Sequence, residues 1–512
     1  MYWFNTAGPC KSDIHYMLPS EQRLPEVTSL IAQQGYFVIH APRQTGKTTA
    51  MLNLAQELTA AGTYTALMVS TEVGAAYLHE PKRAERAILN AWQDAARYWL
   101  PLELRPPSWA DCESIGQALS LWVERSPRPV VLFIDEINAL QDEALISVLR
   151  QLRDGYPRRP GGFPHSLALI GLRDVRDYKV AAGGNDRLGT ASPFNIKVRS
   201  LTLRNFNIEE VADLYAQHTA FTGQKFKPET IQLVFDLTQG QPWLVNALAK
   251  EVVEALVTDP TISITPAHIQ TAKEILIQRQ DTHLDSLAER LREDRVRAII
   301  EPMLAGQELG NVPNDDIQFV LDLGLCVMDP LGGITIANPI YREVLPRVLT
   351  VTPMASLPQI APTWLKPDGA LDPDALLNAF LAFWKQHGEP LLGSASYHEI
   401  APHLVMMAFL HRVVNGRGTL EREYAIGRDR MDLCLQYGDV TLAIELKVQR
   451  DGRPNQVVAG LEQIERYLER LPTANGWLMI FDRRRDAKPI GDRLFTELKT
   501  TPKGLPVTVI HG

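Results

Sequence analysis

The chain has 512 residues, a length that suggests three or four domains, each able to bury a core of its own. Hydrophobic residues make up 45% and charged residues 22%, which is usual for globular proteins and excludes a disordered or fibrous chain. The net charge is −8, from 52 basic and 60 acidic side chains, so nucleic acid would have to be bound by local basic patches.

The four cysteines are far apart in the sequence, with no CxxC pair and no histidine cluster at the spacing of a zinc site. This spacing argues against a disulfide framework and a structural zinc ion. The first residues lack the basic region and apolar core of a secretion signal, and no run reaches about 18 apolar residues. These features predict a reduced, cytoplasmic protein with no membrane segment.

Apolar runs in the first part of the chain have the pattern of buried strands. They cover residues 36–40, 64–69, 130–134 and 167–170. The third run is continuous rather than alternating, which indicates a strand buried on both faces of a parallel sheet. A helical pattern at 50–58 separates the first two runs, as in a βαβ unit. We therefore predict a doubly wound α/β domain over residues 1–204.

The turn after the first run is typical of phosphate-binding loops. Residues 41–48 read Ala-Pro-Arg-Gln-Thr-Gly-Lys-Thr, which matches GxxxxGK[ST] except that Ala41 replaces the first glycine. Alanine suits that position only where φ stays negative. In such loops N–H groups face a phosphate, the lysine reaches the β- and γ-phosphates, and the threonine hydroxyl ligates Mg²⁺. The residues expected to bind the nucleotide are Arg43, Gln44, Thr45, Gly46, Lys47, Thr48 and Thr49, with Thr48 also a metal ligand.

Two acids follow the third apolar run. Asp135 and Glu136 come at the carboxyl end of the predicted strand, where open α/β sheets build their sites. Asp135 is expected to hold Mg²⁺ through water, and Glu136 to orient or deprotonate the attacking water. The alternative is a pair of solvated acids at the start of the next helix. After the fourth run, Arg173 or Asp174 would sense the γ-phosphate, or both belong to a plain surface turn.

The rest of the chain divides by composition and pattern. Residues 205–280 are helical with few strand signals, and 281–350 combine helical periodicity with a Gly-Gly turn between short β runs. Prolines are frequent over 351–375, which we interpret as a linker. Strands and helices resume over 376–512.

Several segments resemble AAA-like ATPases close to the archaeal and STAND NTPases. The resemblance covers roughly residues 12–350 and rests on the segments HYMLP (15–19), 41–49, FIDE (133–136), SPF (192–194) and GQPW (240–243). It implies a P-loop NTPase core at 1–204, a helical lid at 205–280 and a winged helix at 281–350, with ATP and Mg²⁺ as cofactors. Pro242 matches a proline that lies against the nucleotide in that group. The sequence departs from the pattern at Ala41 and has no clear arginine finger, which affects the expected hydrolysis rate more than binding.

The predicted winged helix has an acidic candidate for its recognition helix. Residues 315–323 contain three aspartates and no lysine or arginine. Contacts to DNA phosphates come largely from lysine and arginine side chains. We therefore expect this helix to serve packing or regulation rather than DNA binding.

Two predicted strands near the C-terminus carry a pair of carboxylates. Residues 430–448 read strand, turn and strand. In the second strand the even positions are aliphatic, and the other face carries Thr441, Ala443, Glu445 and Lys447. Asp432 on the first strand is expected to meet Glu445 across the ladder, where their repulsion would be relieved by a cation such as Mg²⁺. Lys447 would hold the attacking water or stabilise developing charge, unless this is simply a charged, exposed sheet face.

The spacing of Asp432, Glu445 and Lys447 resembles the PD-(D/E)XK nuclease superfamily. The resemblance covers about residues 385–485 and includes Glu399, Gln463, Tyr467 and a closing strand at 477–481. It implies Asp432 and Glu445 as metal ligands, with a catalytic set of Asp432, Glu445, Lys447, Gln463 and Glu399. A basic run follows the closing strand and would contact a DNA backbone or merely be solvated: Arg483, Arg484, Arg485, Lys488 and Arg493.

The whole sequence predicts an α/β protein in which a P-loop NTPase core, lid and winged helix precede an α/β nuclease-like domain at 376–512. We expect an ATPase with a Mg²⁺-dependent nuclease gated by nucleotide, whose partner is nucleic acid, in the first instance DNA. Such fusions resemble bacterial proteins that defend against foreign DNA, which is an analogy from architecture. The alternative is a nucleotide-dependent DNA-binding or signalling switch with a non-cleaving nuclease fold, against which the intact acidic pair and lysine argue. A helicase-like motor is poorly supported, and a homo-oligomer is left open.

Overall fold

A computed structural model describes most of the chain. The described residues are 2–174, 194–279, 282–304, 309–329, 332–346, 362–394, 401–414, 418–426, 429–452, 454–471, 475–484 and 486–512. They form two units, one of Met1–His283 with Gln318–Pro339 and the other of Leu284–Ile317 with Ile340–Gly512. No helix within the described ranges combines the length and apolar character that crossing a membrane requires.

A parallel sheet of five strands forms the centre of the first unit. Its strands are β1 (Tyr36–His40), β2 (Thr65–Ser70), β3 (Val130–Asp135), β4 (Ser166–Gly171) and β5 (Arg199–Thr202). The spatial order is β2-β3-β4-β1-β5, and every neighbouring pair is parallel. The four strands predicted from apolar runs are therefore confirmed to within one residue at each end.

Helices cover both faces of this sheet. They are α1 (Ser20–Arg23), α2 (Glu26–Ala32), α3 (Lys47–Ala60), α4 (Pro81–Trp99), α5 (Ile115–Arg125) and α6 (Asp142–Gly155), with short 3-10 helices at Glu72–Tyr77, Leu102–Leu104, Ile137–Ala139 and Tyr156–Arg158. Phe37 and Phe133 pack towards α2 and α3, whereas Val38 and Leu132 pack towards α4, α5 and α6. Because both faces are buried, the strands have continuous apolar runs instead of alternation.

A helical segment follows the sheet. It contains α7 (Ile208–Thr222), α8 (Pro228–Thr238), α9 (Pro242–Glu251) with a π-helical turn at Val252–Leu256, and α10 (Pro266–Arg279). A capping box of Asn207 and Glu210 starts α7, and proline at the first helical position starts α8 and α9. This agrees with the helical pattern predicted for 205–280.

Three helices and a hairpin come next in the chain. They are α11 (Thr282–Arg290), α12 (Asp294–Leu304), α13 (Asn314–Asp322) and the antiparallel strands β6 (Cys326–Met328) and β7 (Ile334–Ile336). These helices and the hairpin agree with the helical pattern and the short β runs around a Gly-Gly turn that are expected over 281–350. The segment is divided between the two units within α13, so the winged helix stays a prediction.

The second unit is built on a six-stranded mixed sheet. Its elements are α14 (Pro373–Ser394), α15 (Ala401–Val414), β8 (Gly418–Ile426), β9 (Asp429–Tyr437), β10 (Val440–Gln449), α16 (Gln456–Leu468), β11 (Asn475–Asp482), α17 (Ile490–Arg493), β12 (Phe495–Thr500) and β13 (Pro506–His511). The order is β12-β13-β11-β10-β9-β8, in which β10, β11 and β13 are parallel neighbours. Residues from α14 and α15 pack on one face and residues from α16 on the other.

The end of the predicted linker is folded. Trp364 and Leu371 lie in the core of the second unit, and α14 already begins at Pro373. The Asp372 carboxylate accepts hydrogen bonds from the backbone N–H groups of Asp374 and Ala375 and so caps this helix. Residues 362–375 therefore differ from the expected linker, because Trp364 and Leu371 are buried in a core despite the surrounding prolines. Residues 347–361 lie outside the described part of the chain.

Candidate nucleotide and metal sites

The loop between β1 and α3 has the backbone conformation that anion binding requires. Gly46 has φ +89 and Gln44 has φ +58, so the chain curls sharply before α3. Ala41 is not among the residues with positive φ, which meets the condition for alanine at the first loop position. Successive N–H groups of such a curl, together with the start of a helix of 14 residues, form a concave site for phosphate.

Lys47 folds back onto this loop. Its Nζ donates hydrogen bonds to the carbonyl oxygens of Ala41 and Pro42, both at 2.7 Å. Burial lowers the pKa of Lys47 to about 8, although the charges of Asp135 and Glu136 act in the opposite direction. The loop thus holds a poorly solvated cation where an anionic ligand would be strongly attracted.

Thr48 and Asp135 place two oxygens side by side. The Thr48 hydroxyl donates to Asp135 Oδ2 at 2.7 Å, and Asp135 Oδ1 accepts from the backbone N–H of Glu136 at 2.9 Å. Burial raises the pKa of Asp135, and the bond from Thr48 opposes that rise. Hydroxyl and carboxylate oxygens at this distance fit a small, hard cation such as Mg²⁺. The loop and strand motifs are therefore brought together as predicted.

Glu136 is positioned by a residue that sequence reasoning missed. Its backbone has φ +53, an unusual conformation for a side chain other than glycine, and its Oε2 accepts from Asn138 Nδ2 at 3.0 Å. Asn138 Oδ1 in turn accepts from the backbone N–H of Leu172, just after β4. The amide of Asn138 thus connects the ends of β3 and β4. The only sequence feature that could have identified Asn138 is its position two residues after Glu136.

Arg23 is a second missed residue, and it lies against the loop. It is only 7% exposed, and its Nη2 donates to the carbonyl oxygens of Thr45 and Arg204. Its guanidinium also lies over the ring of Phe206, 4.6 Å from the centroid. These contacts join the phosphate loop to the segment that precedes α7. No local sequence signal identifies such a contact, because Thr45 and Arg204 are remote in sequence.

The GQPW segment meets the same loop. Gln241 is buried, its Oε1 caps α9 by accepting from the Leu244 N–H, and its Nε2 donates to the carbonyl of Gln44 at 3.4 Å. Pro242 is the buried first residue of α9. Gly240 has φ +68, and a side-chain carbon there would overlap the carbonyl of Phe206, whose N–H bonds back to Gly240.

Thr49 and Arg173, which are both expected to contact the nucleotide, bind other residues of the protein in this structure. The Thr49 hydroxyl accepts a hydrogen bond from the backbone N–H of Cys10 at 3.0 Å. Arg173 is 15% exposed at its side chain and its Nε donates to Asp322 Oδ2 at 2.6 Å, while Asp174 pairs with Lys197. The idea of a plain surface turn at Arg173 and Asp174 is therefore wrong, because both side chains form ion pairs, with Arg173 largely shielded from solvent and Asp174 buried.

The second site lies where β9 and β10 run antiparallel. Their register ends at Ile444 opposite Leu433, which places Asp432 next to Glu445 as predicted. Asp432 Oδ2 accepts from the backbone N–H of Leu446 at 2.8 Å. Glu445 is fully buried, and its Oε2 receives no hydrogen bond from a donor.

The environment of Glu445 favours its neutral form. Burial, and next the charge of Asp432, raise the pKa of Glu445 to about 8, while Lys447 acts in the opposite direction. The proton of a neutral Glu445 would lie towards Asp432, since both side chains are otherwise acceptors. A buried oxygen without a donor beside a second carboxylate fits a divalent cation, which would relieve both the desolvation and the repulsion.

Helix α16 holds Lys447 in place. Lys447 Nζ donates to Glu445 Oε1 at 2.6 Å and to Gln463 Oε1 at 2.9 Å. Gln463 Nε2 donates to the hydroxyl of Tyr467 at 2.8 Å, and burial raises the pKa of that tyrosine. Gln463 and Tyr467, four residues apart on α16, thus form a chain of contacts that leads from Tyr467 through Lys447 to Glu445.

The alternative of a charged, exposed sheet face on β10 is wrong for two of its residues. Ala443 and Glu445 are both fully buried, because Ile464, Tyr467 and other residues of α16 pack over this face. Within the described ranges no group of three or more histidine, cysteine, aspartate or glutamate side chains is placed to hold a metal. Glu399, the predicted third acid, lies outside those ranges.

Comparisons with known proteins give structures that share little sequence identity with this chain. The sequence matches no protein-family model and no curated protein. The Walker-type ATPase of Pyrococcus abyssi has a TM-score of 0.47 at 12% identity, over 67% of this chain and 99% of that one. ORC2 of Aeropyrum pernix has a TM-score of 0.36 at 16% identity, over 66% of this chain and 93% of that one. The RuvB Holliday junction branch migration motor of Thermotoga maritima has a TM-score of 0.33 at 14% identity, over 62% of this chain and 90% of that one.

The fold of the first unit therefore rests on its own geometry. A five-stranded parallel sheet is covered on both faces, a curled loop carries Lys47 from β1 into α3, and an acid pair ends the strand β3. Ligands of open α/β sheets bind beyond the carboxyl ends of the strands, where these residues meet. The first unit thus has an α/β fold with a parallel five-stranded sheet, which fits a P-loop NTPase core.

Proposed function

We propose that this protein binds and hydrolyses ATP at the loop 41–48 and that its second unit is a Mg²⁺-dependent nuclease. The observation that supports the nucleotide part is the contact of the Thr48 hydroxyl with Asp135 beside the folded-back Lys47. The nuclease part rests on the fully buried Glu445, whose Oε2 has no donor, next to Asp432 and the tethered Lys447.

Each residue at the nucleotide site has a defined task in this proposal. Lys47 exchanges the carbonyl oxygens of Ala41 and Pro42 for phosphate oxygens, and the loop N–H groups bind the same phosphates. Thr48 and Asp135 would hold Mg²⁺, which supplies charge against the negative phosphates. Glu136, held by Asn138, orients the attacking water and accepts its proton.

Each residue of the second site also has its own task in the proposal. Asp432 and Glu445 would hold Mg²⁺, which stabilises negative charge on a phosphodiester. Lys447 directs its ammonium group towards the reacting phosphate or water, and Gln463 fixes the position of that group. In this arrangement Tyr467 supports Gln463 and does not itself contact the substrate.

The nucleotide part is tested by two substitutions. Lys47→Ala should abolish ATP binding in titration calorimetry, because the loop loses the cation that reaches the β- and γ-phosphates. Glu136→Gln should keep wild-type affinity and lose turnover by about two to four orders of magnitude, since an amide does not accept the proton of water. Equal ATP affinity in the wild type and the Lys47 variant would refute the site.

The nuclease part is tested by cleavage of single- and double-stranded DNA and RNA in Mg²⁺. Asp432→Asn and Glu445→Gln should each remove cleavage and leave ATP hydrolysis unchanged, because the two sites lie in different units. Glu462→Gln, an exposed acid on α16, serves as the matched control and should cleave normally. Cleavage at the wild-type rate by both site variants would exclude this chemistry.

The alternative is a switch whose nuclease fold binds nucleic acid without cutting it. It is favoured by the finding that the described part of the second site contains only two carboxylates and that one of them already pairs with Lys447. Binding of nucleic acid by the wild type without cleavage of any substrate would select this alternative. A role in defence against foreign DNA stays a prediction from the resemblance.

A further inference from the structure

A basic pocket opens at the carboxyl end of β11 in the second unit. It has a volume of about 410 Å³, and its charged lining consists of Asp482, Arg483, Arg484, Lys488 and Arg493. The pocket contains four cations and one acid, which gives a net charge of +3. A concave site with this charge attracts anions, and phosphate groups in particular.

The acid of the pocket is already neutralised by one of its arginines. Arg484 Nε and Nη2 donate to the two carboxylate oxygens of Asp482 at 2.9 and 2.7 Å, and the charge of Arg493 also acts on this acid. Asp451 and Asp486 add further negative charge near Arg484. We therefore assign Arg483 and Lys488 to an external anion. A guanidinium group binds two phosphate oxygens at once, and lysine adds a point charge.

The register of the sheet places this pocket beside the metal site. β10 and β11 are parallel, with Lys447 opposite Ile480 and Gln449 opposite Asp482. The backbone N–H of Arg483 donates to the carbonyl of Gln449 at 2.9 Å. The pocket thus begins two residues beyond Lys447, which is about 7 Å along the strands. In a nucleic acid, this distance corresponds to about two base steps of about 3.4 Å each.

One residue of the pocket, Asp482, lies on the same face of the sheet as Glu445 and Lys447, whereas the helix that carries Arg493 packs through Ile490 with α14 and α15. Side chains alternate along a strand, so residues two apart, such as Glu445 and Lys447, point to the same side. Their neighbours on β11, Leu478 and Ile480, lie in the core formed with α16, and Asp482 continues that series. A strand of nucleic acid that crosses this end of the sheet would meet both sites.

We propose that the pocket binds a phosphate group of the nucleic acid whose neighbouring phosphodiester lies at Glu445. The proposal rests on the proposed nuclease function and adds a second point of attachment for the substrate. The pocket holds the strand in register, and Asp432, Glu445 and Lys447 act on the bond one or two nucleotides away. The shared chemistry is that of a phosphate, supplied either by a strand end or by the backbone.

The test measures binding of fluorescent oligonucleotides by anisotropy in metal-free buffer, where cleavage does not interfere. The double variant Arg483→Gln/Lys488→Gln should raise Kd at least tenfold and make the plot of log Kd against log salt shallower by about one for each phosphate that is no longer bound. Lys499→Gln/Lys503→Gln removes two other cations of the same unit, which already pair with Glu497 and Glu469, and should bind as the wild type does. Arg483→Lys/Lys488→Arg should restore most of the affinity and confirm that charge matters.

Two oligonucleotide forms distinguish the source of the phosphate. If the double variant loses affinity only for oligonucleotides with a terminal phosphate, the pocket binds strand ends; if it loses affinity for both forms, the pocket binds the backbone. Equal Kd and equal salt dependence in the double variant and the wild type would overturn the proposal. A wild type that binds through the pocket but cleaves no substrate would leave the pocket standing and refute the nuclease function, so the two failures are separable.

Discussion

The charge state of Glu445 decides how the second unit responds to pH in the absence of metal. Its pKa is about 8 in the folded protein, against an ordinary value of 4.5. Between these values the folded state holds a proton that the unfolded state releases, so the free energy of unfolding falls as pH rises. The stability that the proton provides is fully present below about pH 4.5 and is lost as the pH rises through 8.

We therefore predict that Glu445→Gln removes this part of the pH dependence. In EDTA the wild type should lose on the order of a few kcal/mol between about pH 5 and 8, seen as a falling melting temperature, while the variant changes much less. Glu462→Gln should behave as the wild type does. Added Mg²⁺ should raise the melting temperature of the wild type more than that of the variant. Identical pH profiles for the wild type and Glu445→Gln would contradict the assignment.

At the scale of elements, strands were easier to predict than the contacts between them. The apolar runs at 130–134 and 167–170 gave correct strands, because burial on both faces requires such composition. Alternation in β10 correctly paired Asp432 with Glu445, but it could not tell a solvated face from one covered by α16. Arg23 and Asn138 were missed because their roles depend on chain segments that only the fold brings together.

The contact of Arg173 with α13 leads to a prediction at this scale. Arg173 lies just after β4 at the nucleotide end of the sheet, and Asp322 at the end of α13 pairs with it. Asp322→Asn should weaken this pair and allow Arg173 to turn to a γ-phosphate. We expect the ratio of ATP to ADP affinity to rise several-fold, because only ATP carries the additional phosphate.

Calorimetric titration with both nucleotides checks this expectation. Asp316→Asn, on the same helix, is the control and should leave the ratio unchanged. Arg173→Ala combined with Asp322→Asn should abolish the gain, since the effect requires the arginine. An unchanged ratio in Asp322→Asn would mean that Arg173 does not exchange its partner.

For the whole molecule, the arrangement of the chain bears on coupling between the two sites. The chain passes from one unit to the other three times, after residues 283, 317 and 339. One of these positions lies inside α13, the helix that Asp322 ties to Arg173. A change at the nucleotide site that alters this ion pair would therefore act on a helix shared by both units.

Glu136→Gln provides the test of coupling, because it should accumulate the ATP-bound state without touching the second site. We predict that its cleavage rate with ATP differs from that of the nucleotide-free wild type. The size of the change is limited by the difference in ATP affinity between the two conformations. Equal rates for the nucleotide-free, ATP-bound and Glu136→Gln proteins would show that the units act independently.

The close approach of Gly240 to Phe206 sets a limit on how this sequence can vary. Gly223 also has positive φ, yet open space surrounds it, so alanine there adds only backbone strain of about 1 kcal/mol. Alanine at position 240 would also have to displace the backbone of Phe206, whose ring lies under the Arg23 guanidinium. In a library of random substitutions selected for ATP hydrolysis, position 223 should tolerate many residues, whereas position 240 should be recovered only as glycine.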